Sequence, residues 1–330
     1  MLKSVDGQAA AVRVLEHAIE TGRIAQAYLF AGPDGVGKQR AAIALACTVL
    51  CDDKGCGTCA VCERITSGNH PDVRVFAPRD EGDRNLQVDY LRNEILPLTK
   101  FAPFEGRAAF FIFPEADLSF PEQHAEAANA MLKTLEEPRP NVSFILLSAR
   151  PDALLPTIRS RCQRVRFNAL PADVLERILE EAGVSSEARR TAAALAGGSA
   201  SRALSLTQDD RAQRVLDWAL RIDAALGSDA GKSARDAGAV LEIAEELSRS
   251  DDRDLVLESL AMFYRDVAGR SLGLSSDRLY FDHPATADRA QSLSVAAAAE
   301  RAAAVSVLFD GLRKNANPQI ALDGFLLGLR

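Results

Sequence analysis

An eight-residue stretch, Gly32-Pro33-Asp34-Gly35-Val36-Gly37-Lys38-Gln39, decides how this chain folds and what it can bind. It follows an apolar run, Ala27-Tyr28-Leu29-Phe30, and precedes an alanine-rich helical pattern from Arg40 to Leu50. A strand, a glycine loop and a helix in this order form the context that a phosphate-binding loop needs. The glycines let backbone N–H groups turn inward, and the helix N-terminus adds a positive dipole end. The predicted nucleotide-binding residues are Gly32, Gly35, Gly37 and Lys38.

The last position of this loop departs from the motif. Lys38 stands where it can reach the outer phosphates of a nucleotide, but the next residue is Gln39 instead of Ser or Thr. The hydroxyl at that position normally ligates Mg²⁺, and an amide is a poor replacement for so short an octahedral bond. The competing interpretation is a glycine turn without a ligand. We expect a loop of the phosphate-binding type whose metal chemistry is damaged.

Length and composition describe an ordinary globular chain. Its 330 residues suffice for two or three domains, with 47% hydrophobic and 26% charged residues. No apolar run approaches the ~18 residues of a membrane helix, and the first residues lack a signal-peptide core. We therefore expect a cytoplasmic protein without a membrane partner. The net charge of −7 argues against a large, autonomous nucleic-acid footprint, so any DNA contact should be local or shared with partners.

Five of the six cysteines lie between Cys47 and Cys62. In a reducing compartment such crowding indicates a metal site rather than disulfides. Cys56, Cys59 and Cys62 form two overlapping C-x-x-C pairs, whose thiolates can converge on one tetrahedral Zn²⁺. The fourth ligand is either Cys51 or Cys47, and we favour Cys51 because it ends the preceding helix. Such a zinc would be structural; the alternative is a set of small buried thiols without metal.

Strands alternate with helices through the first half of the chain. The predicted strands are Ala27–Phe30, Asp72–Phe76, Ala108–Phe113, Val142–Ser148 and 164–167, and most of their residues are apolar. Helical patterns separate these strands, including predicted helices over Leu86–Leu98 and Glu122–Glu137. Strands of this kind indicate an α/β fold whose parallel sheet is covered by helices on both faces. The third strand runs directly into Pro114-Glu115. In phosphate-loop ATPases the residue at the place of Pro114 is an Asp that holds Mg²⁺.

The second half of the chain has no strand pattern. Short helices broken at Gly197-Gly198 predict a small helical module, and residues from 208 onward are helical throughout. The last predicted helix has one apolar face, with Ile320, Phe325, Leu326 and Leu329. A terminal helix with such a face must bury it against its own domain or a partner.

Several stretches together carry a family resemblance over about residues 6–205. They are Gly7-Gln8, residues 27–33, the cysteine cluster, Asn129-Ala130-Met131-Leu132-Lys133-Thr134-Leu135-Glu136-Glu137-Pro138, Thr157-Ile158 and Ser160-Arg161-Cys162. On these residues the chain resembles the clamp-loader branch of the AAA+ ATPases, most closely the delta-prime type of bacterial DNA polymerase III subunit. Residues 208–330 match only as a helical domain.

The resemblance implies three parts: an AAA+ core over 1–168 with a zinc knuckle at 51–62, a helical lid over 169–207, and a helical collar over 208–330 that mediates oligomerisation. It also implies partners. These are gamma/tau-type ATPase subunits and a delta subunit, and, through the complex, the sliding clamp and primer-template DNA.

Departures from the ATPase pattern indicate that the chain hydrolyses no ATP itself, although the loop retains residues for binding it. Gln39 and Pro114 replace both metal-binding positions, and Ser201 lies where ATPase subunits of the family carry a lid arginine. Arg202 is one residue away and would project about 100° around the helix. Without metal ligands, charge on the phosphoryl oxygens is not neutralised.

By the same resemblance, Arg161 is expected to act in trans on the ATP of a neighbouring subunit. A guanidinium offers forked donors to γ-phosphate oxygens and is always charged. The simpler interpretation is a strand-edge arginine in a salt bridge. Two other functions remain open at this point: an active, gamma/tau-like AAA+ ATPase and a zinc-dependent DNA-binding factor without clamp partners.

Overall fold

The computed structural model describes residues 1–76, 88–120, 125–137, 139–227, 237–275, 279, 284–313 and 316–328. The chain divides into two compact units. The first comprises Met1–Val174 with Gly198–Ser201, and the second comprises Leu175–Gly197 with Arg202–Arg330. No helix among the described residues has the length and apolar character needed to span a bilayer.

The first half of the chain alternates strands and helices. In order it contains a 3₁₀ turn (Leu2–Ser4), α1 (Ala9–Glu20), β1 (Ala27–Ala31), α2 (Lys38–Leu50), α3 (Ala60–Thr66), β2 (Val73–Val75), α4 (Val88–Tyr90), a π-helical turn (Leu91–Ile95), α5 (Leu96–Leu98), β3 (Ala109–Phe113), α6 (Ala116–Ser119), α7 (Ala125–Glu136), β4 (Val142–Ser148), a 3₁₀ turn (Pro151–Ala153), α8 (Pro156–Arg159) and β5 (Gln163–Arg166).

The five strands form one parallel sheet in the order β2-β3-β4-β1-β5. Leu29, Phe111 and Phe144 point to one face, where they join a buried cluster with Met131 of α7. Tyr28 alternates with Leu29 along β1, so it is buried on the opposite face. Because α2 packs against β4 and α1 against β5, helices cover both faces. The predicted α/β fold class is confirmed.

Some boundaries and elements differ from the sequence-based expectation. The predicted helix over Leu86–Leu98 begins within the described residues at Val88 and includes the π-helical turn; residues 86–87 lie outside them. The described part of the predicted helix from Glu122 begins at Ala125. Residues 122–124 and Pro138 lie outside the described residues as well. Helix α3 was not predicted. It is one short helix capped by the Cys59 thiol, which accepts a hydrogen bond from the Cys62 N–H, and cysteine is not among the usual N-cap residues.

The rest of the described chain is helical, as predicted. Its helices are α9 (Ala172–Glu181), α10 (Ser186–Leu195), α11 (Ala200–Leu206), α12 (Arg211–Leu226), α13 (Ala237–Ser248), α14 (Arg253–Ser271), α15 (Pro284–Ala290), α16 (Val295–Arg313) and α17 (Pro318–Gly328).

The apolar face predicted for the last helix needs a correction. α17 buries Leu322, Phe325 and Leu326, whereas Ile320 is 70% exposed. Residues 322, 325 and 326 follow the three- and four-residue spacing of one helix face, and Ile320 does not share that spacing with Phe325. Leu329, the fourth residue of the predicted face, lies outside the described residues.

A buried ionic cluster connects four helices within the second unit. The Asp223 carboxylate on α12 accepts hydrogen bonds from the Tyr264 hydroxyl at 2.9 Å and from Arg289 Nε at 2.7 Å. Arg301 Nη1 lies 3.8 Å from the same carboxylate, and its Nη2 donates to the Gly227 carbonyl at 2.9 Å. Burial is the main cause of the raised pKa of the Tyr264 hydroxyl, so this group stays a donor at neutral pH. The Asp223 carboxylate therefore pairs with one buried guanidinium group, that of Arg301, and one partly buried group, that of Arg289.

Asp223→Ala should lower the free energy of unfolding of this unit by about 3–5 kcal/mol, because the substitution leaves buried charges without their partner. Denaturant titration followed by the fluorescence of Trp218, the single tryptophan of the chain, reports on α12. The matched control is Glu245→Ala, which breaks the exposed Glu245–Arg249 pair and should cost no more than about 1 kcal/mol. Equal losses in the two variants would contradict the assigned role of Asp223.

Candidate functional site: a phosphate-binding-type loop and a four-cysteine cluster

The glycine loop leaves β1 at the carboxyl end of the sheet and enters α2. The Gly32 N–H donates to the Ser148 carbonyl at 3.1 Å, which ties the loop to the end of β4. A Cβ atom at Gly32 would lie 2.1 Å from the Phe167 carbonyl oxygen, so no larger residue fits there. Gly37 precedes α2 with a φ of +97°, a conformation that glycine adopts without strain. The predicted strand–loop–helix arrangement is present.

Lys38 is held by the loop that it belongs to. Its side-chain ammonium donates to the carbonyl oxygens of Gly32 at 2.5 Å and Pro33 at 2.7 Å, and lies 3.3 Å from Asp34 Oδ1. The residue is 8% exposed. Burial lowers the pKa of the ammonium, and the nearby Asp34 carboxylate acts in the opposite direction. A bound phosphate would have to replace these oxygen partners.

The segment Gly198–Ser201 closes against this loop. The Ala200 N–H donates to the Gly35 carbonyl at 2.9 Å, and a Cβ at Gly35, whose φ is +72°, would lie 2.1 Å from the hydroxyl oxygens of Ser199 and Ser201. Ser201, which the family resemblance aligns with the lid arginine of ATPase subunits, therefore faces the loop. Arg202 instead forms an ion pair with Glu258 of α14, within the second unit.

The two positions at which the sequence predicts that Mg²⁺ ligands are lost lie at the start of α2 and after β3. Gln39 is exposed in the first turn of α2, and Pro114 follows the last residue of β3. The next residue, Glu115, adopts a left-handed conformation with a φ of +47° before α6 begins. A non-glycine residue in that region carries a strain of about 1–3 kcal/mol, a feature that clusters at functional sites.

Asp117 is a buried carboxylate near the loop that sequence reasoning did not single out. It accepts hydrogen bonds from the Ala149 N–H and from Arg150 Nε, each at 3.2 Å. Its charge also contributes to the pKa of Lys38, in the upward direction. No motif marks this position, because the pairing with residues 149–150 depends on how β3 and β4 lie side by side. The carboxylate thus forms an ion pair with Arg150.

Arg161 lies between α8 and β5, with its side chain 34% exposed. Its guanidinium donates to the Thr157 carbonyl at 2.9 Å and to Glu136 Oε1 of α7 at 2.5 Å. Both partners belong to the stretches that carry the family resemblance. The ion pair with Glu136 holds the guanidinium in a defined position, as expected for an arginine that forms a salt bridge at the strand edge. Part of the guanidinium remains accessible to solvent.

Four of the six cysteines converge at one point. The sulfur atoms of Cys51, Cys56, Cys59 and Cys62 all lie within 4.8 Å of one another. Cys51 Sγ is 3.6 Å from Cys59 Sγ and 3.8 Å from Cys56 Sγ. Four sulfur ligands at the usual Zn–S distance of about 2.3 Å lie about 3.8 Å apart at the corners of a tetrahedron. The cluster therefore has the size of a closed, four-thiolate zinc site.

The cluster is formed by the C-terminal end of α2, the turn that follows it and the N-terminal end of α3. Gly55 and Gly57 adopt φ values of +80° and +87°, which allows the chain to reverse direction after α2. Cys51 then meets Cys59 and Cys62 at the beginning of α3. Arg107 pairs with Asp52 at 2.6 Å, so the turn is also attached to the segment before β3.

The electrostatic environments of the thiols differ within the cluster. Hydrogen bonds from the backbone, with that of Thr58 the largest, lower the pKa of Cys56 to about 6. A backbone hydrogen bond from Cys56 is the main cause of the lowered pKa of Cys51. Burial raises the pKa of Cys62. Two of the thiols are thus predisposed to the thiolate form that a metal requires.

The other two cysteines, and His70 shortly before β2, lie outside this group. Cys47 is buried in α2, and burial raises its pKa; burial likewise raises the pKa of Cys162 to about 12. His70 accepts a hydrogen bond from the Asp72 N–H at its Nδ1 and faces Glu105 through Nε2 at 3.2 Å. Among the described residues, the cluster of thiols that could hold a metal includes none of the three.

Comparison with known proteins assigns the family. A family model described as "DNA polymerase III, delta subunit" matches residues 7–171. The chain is 30% identical over 278 residues to the DNA polymerase III subunit delta' of Bacillus subtilis (strain 168), covering 82% of this chain and 80% of the relative. It is also 35% identical over 178 residues to the DNA polymerase III subunit tau of that organism, covering 52% of this chain and 30% of the relative.

A solved structure of a DNA polymerase III gamma subunit-related protein from Thermotoga maritima covers 96% of this chain and 98% of its own, with 17% identity and a TM-score of 0.46. So distant a likeness does not bear on the assignment, which rests on sequence. The match over residues 7–171 and the delta' relative that the chain spans over most of its length show that this chain belongs to the delta-prime family of DNA polymerase III clamp-loader subunits.

Proposed function

We propose that this chain is a non-catalytic subunit of a cytoplasmic clamp loader, which helps to place a sliding clamp on primed DNA. The observation that carries the proposal is the combination of an intact glycine loop with two lost metal positions. Gln39 and Pro114 stand where a hydroxyl and a carboxylate would ligate Mg²⁺. Without that ion, the charge that develops during phosphoryl transfer is not stabilised.

The environment of the loop supports the same proposal. Lys38 is bonded to carbonyl oxygens of its own loop, and the hydroxyl of Ser201 faces Gly35. A lid arginine would offer a phosphate its guanidinium donors, whereas Arg202 is engaged with Glu258. We propose that Gly32, Gly35, Gly37 and Lys38 are a degenerate nucleotide site. ATP binding without hydrolysis is compatible with it.

We further propose that Arg161 acts on the ATP of a neighbouring gamma/tau-type subunit. Its guanidinium is partly exposed and is positioned by Glu136 and the Thr157 carbonyl. A subunit that hydrolyses no ATP itself can still contribute an accessible, well-positioned arginine to the ATP site of a neighbouring subunit. Its forked donors match the oxygens of a γ-phosphate.

The remaining parts of the proposal concern metal and assembly. Cys51, Cys56, Cys59 and Cys62 would hold a structural Zn²⁺, since four thiolates leave no open coordination position. Residues 1–168 would form the core, 169–207 the lid, and 208–330 the collar through which the chain joins gamma/tau-type and delta subunits. Contact with the clamp and primer-template DNA would follow within the complex.

The purified chain should hydrolyse no ATP above background, because both metal positions are lost. The measurement is steady-state phosphate release, with Lys38→Ala as the matched control. Equal background rates in both proteins are expected. Turnover on the order of 1 s⁻¹ or more that disappears in Lys38→Ala would instead favour an active, gamma/tau-like ATPase.

A further inference from the structure

A basic groove lies at the edge of the sheet in the first unit, outside the loop and the cysteine cluster. It runs along α1 beside β5, encloses about 630 Å³, and is lined by Arg13, His17, Arg23 and Gln163. Its lining contains no acidic residue. In a chain with a net charge of −7, three basic side chains without an acid mark a local exception.

The two arginines of this groove have no acidic partner among the described residues. The ion pairs of the first unit engage other arginines, including Arg64 with Glu105, Arg107 with Asp52 and Arg150 with Asp117. Arg13 and Arg23 form none, although Glu16 and Glu20 lie on the same helix as Arg13. Their guanidinium donors are therefore available to an external anion.

The rest of the groove favours a polyanion that has apolar surface beside its charges. Arg13 and His17 are four residues apart on α1, so they are neighbours on one helix face. Arg23 follows beyond the end of the helix. Between them lie the small apolar side chains of Val14 and Ala18, and Val14 is 39% exposed. A strand of nucleic acid presents one phosphate per nucleotide together with apolar sugar and base surfaces, which suits a lining of basic and apolar side chains.

Two further arginines lie on β5, next to the groove. Register pairs Arg164 with Leu29 and Arg166 with Ala31, so both arginines lie on the sheet face opposite to Gln163. Both are exposed. Among the described residues β5 is an edge strand of the sheet, with the two exposed arginines on one of its faces and the groove against the other.

We infer that the α1–β5 groove binds the phosphate backbone of single-stranded nucleic acid. This goes beyond the proposed function, in which DNA is reached through the assembled complex. An acidic protein segment is the less suitable ligand. The groove is floored by the side chains of α1 and lined by a single residue of β5, so it offers a peptide no row of backbone partners.

The test is fluorescence anisotropy of the isolated full chain with labelled oligodeoxythymidylate at several salt concentrations. Arg13→Gln/Arg23→Gln should weaken binding about tenfold near physiological salt and reduce the slope of log K against log salt by about 1.4, since each phosphate contact on single strands contributes about 0.7. Arg13→Lys/Arg23→Lys should retain most of the affinity because both charges remain. Circular dichroism should show that the exposed substitutions leave the fold intact.

The matched control is Arg74→Gln/Arg92→Gln, which removes two exposed arginines elsewhere in the same unit and should change binding little. Equal weakening in control and groove variants would overturn the inference, as would the absence of binding by the wild type at low salt. Displacement of the oligonucleotide by poly-glutamate at equal charge concentration would also overturn it, in favour of an acidic protein partner. The isolated chain is used, so failure would leave the proposed clamp-loader role standing.

Discussion

Replacing Arg161 with alanine should lower ATP turnover at one neighbouring subunit of the assembled clamp loader by about 10³–10⁵-fold, the usual contribution of an arginine finger. The isolated chain should show no functional change, since it has no reaction of its own to impair. Its stability should also change little. The Arg161–Glu136 pair is partly exposed, and such pairs contribute about 0–1 kcal/mol.

The measurement is turnover in complexes whose other ATP sites have been disabled, because intact sites would otherwise mask the loss. Arg159→Ala is the matched control. Arg159 lies two residues earlier, is partly exposed and pairs with Asp152, so its loss removes an equal charge from the same surface. Arg161→Lys should rescue poorly, because an ammonium lacks the fork that spans two oxygens. Wild-type turnover with Arg161→Ala would mean that the residue only anchors α7 to α8.

Local patterns in the sequence predicted most of the first unit. The apolar runs at 27–30, 108–113 and 142–148 correspond to β1, β3 and β4 within a residue or so. Strands buried on both faces need such runs, and the glycine loop between strand and helix has few alternatives. The choice of Cys51 over Cys47 for the cysteine cluster also agrees with the structure, because Cys47 lies inside α2 while Cys51 ends it.

Local sequence patterns did not predict the contacts between distant parts of the chain. Nothing in the sequence shows that Ala200 meets Gly35, that Arg150 neutralises Asp117, or that Gln163 lies beside α1. Each of these depends on the order of strands in the sheet or on the path of a long connection. The wrong prediction for Ile320, which is exposed and not on the buried face of α17, has a different cause. An apolar residue on a helix says little about burial unless its angular position relative to the others is counted.

Removing one cysteine of the cluster should abolish zinc binding and release the turn that follows α2. Cys51→Ala leaves three sulfur ligands, which do not close a structural zinc site. Structural zinc contributes about 10–16 kcal/mol of apparent binding free energy in zinc-finger peptides, so its loss should unfold residues 51–66 at least. Elemental analysis should fall from about one zinc per chain in the wild type to near zero in the variant.

Cys47→Ala is the matched control. It removes a buried sulfur from the same helix, four residues earlier, without changing the four-cysteine cluster. Zinc content should stay at the wild-type level in this variant. Trypsin provides a second measurement, since Lys54 is exposed within the turn: cleavage there should be slow in wild type and Cys47→Ala, and fast in Cys51→Ala or after chelation. Zinc retained in Cys51→Ala but lost in Cys47→Ala would transfer the fourth ligand to Cys47. Zinc absent from the wild type would leave four convergent thiols that serve the fold without a metal.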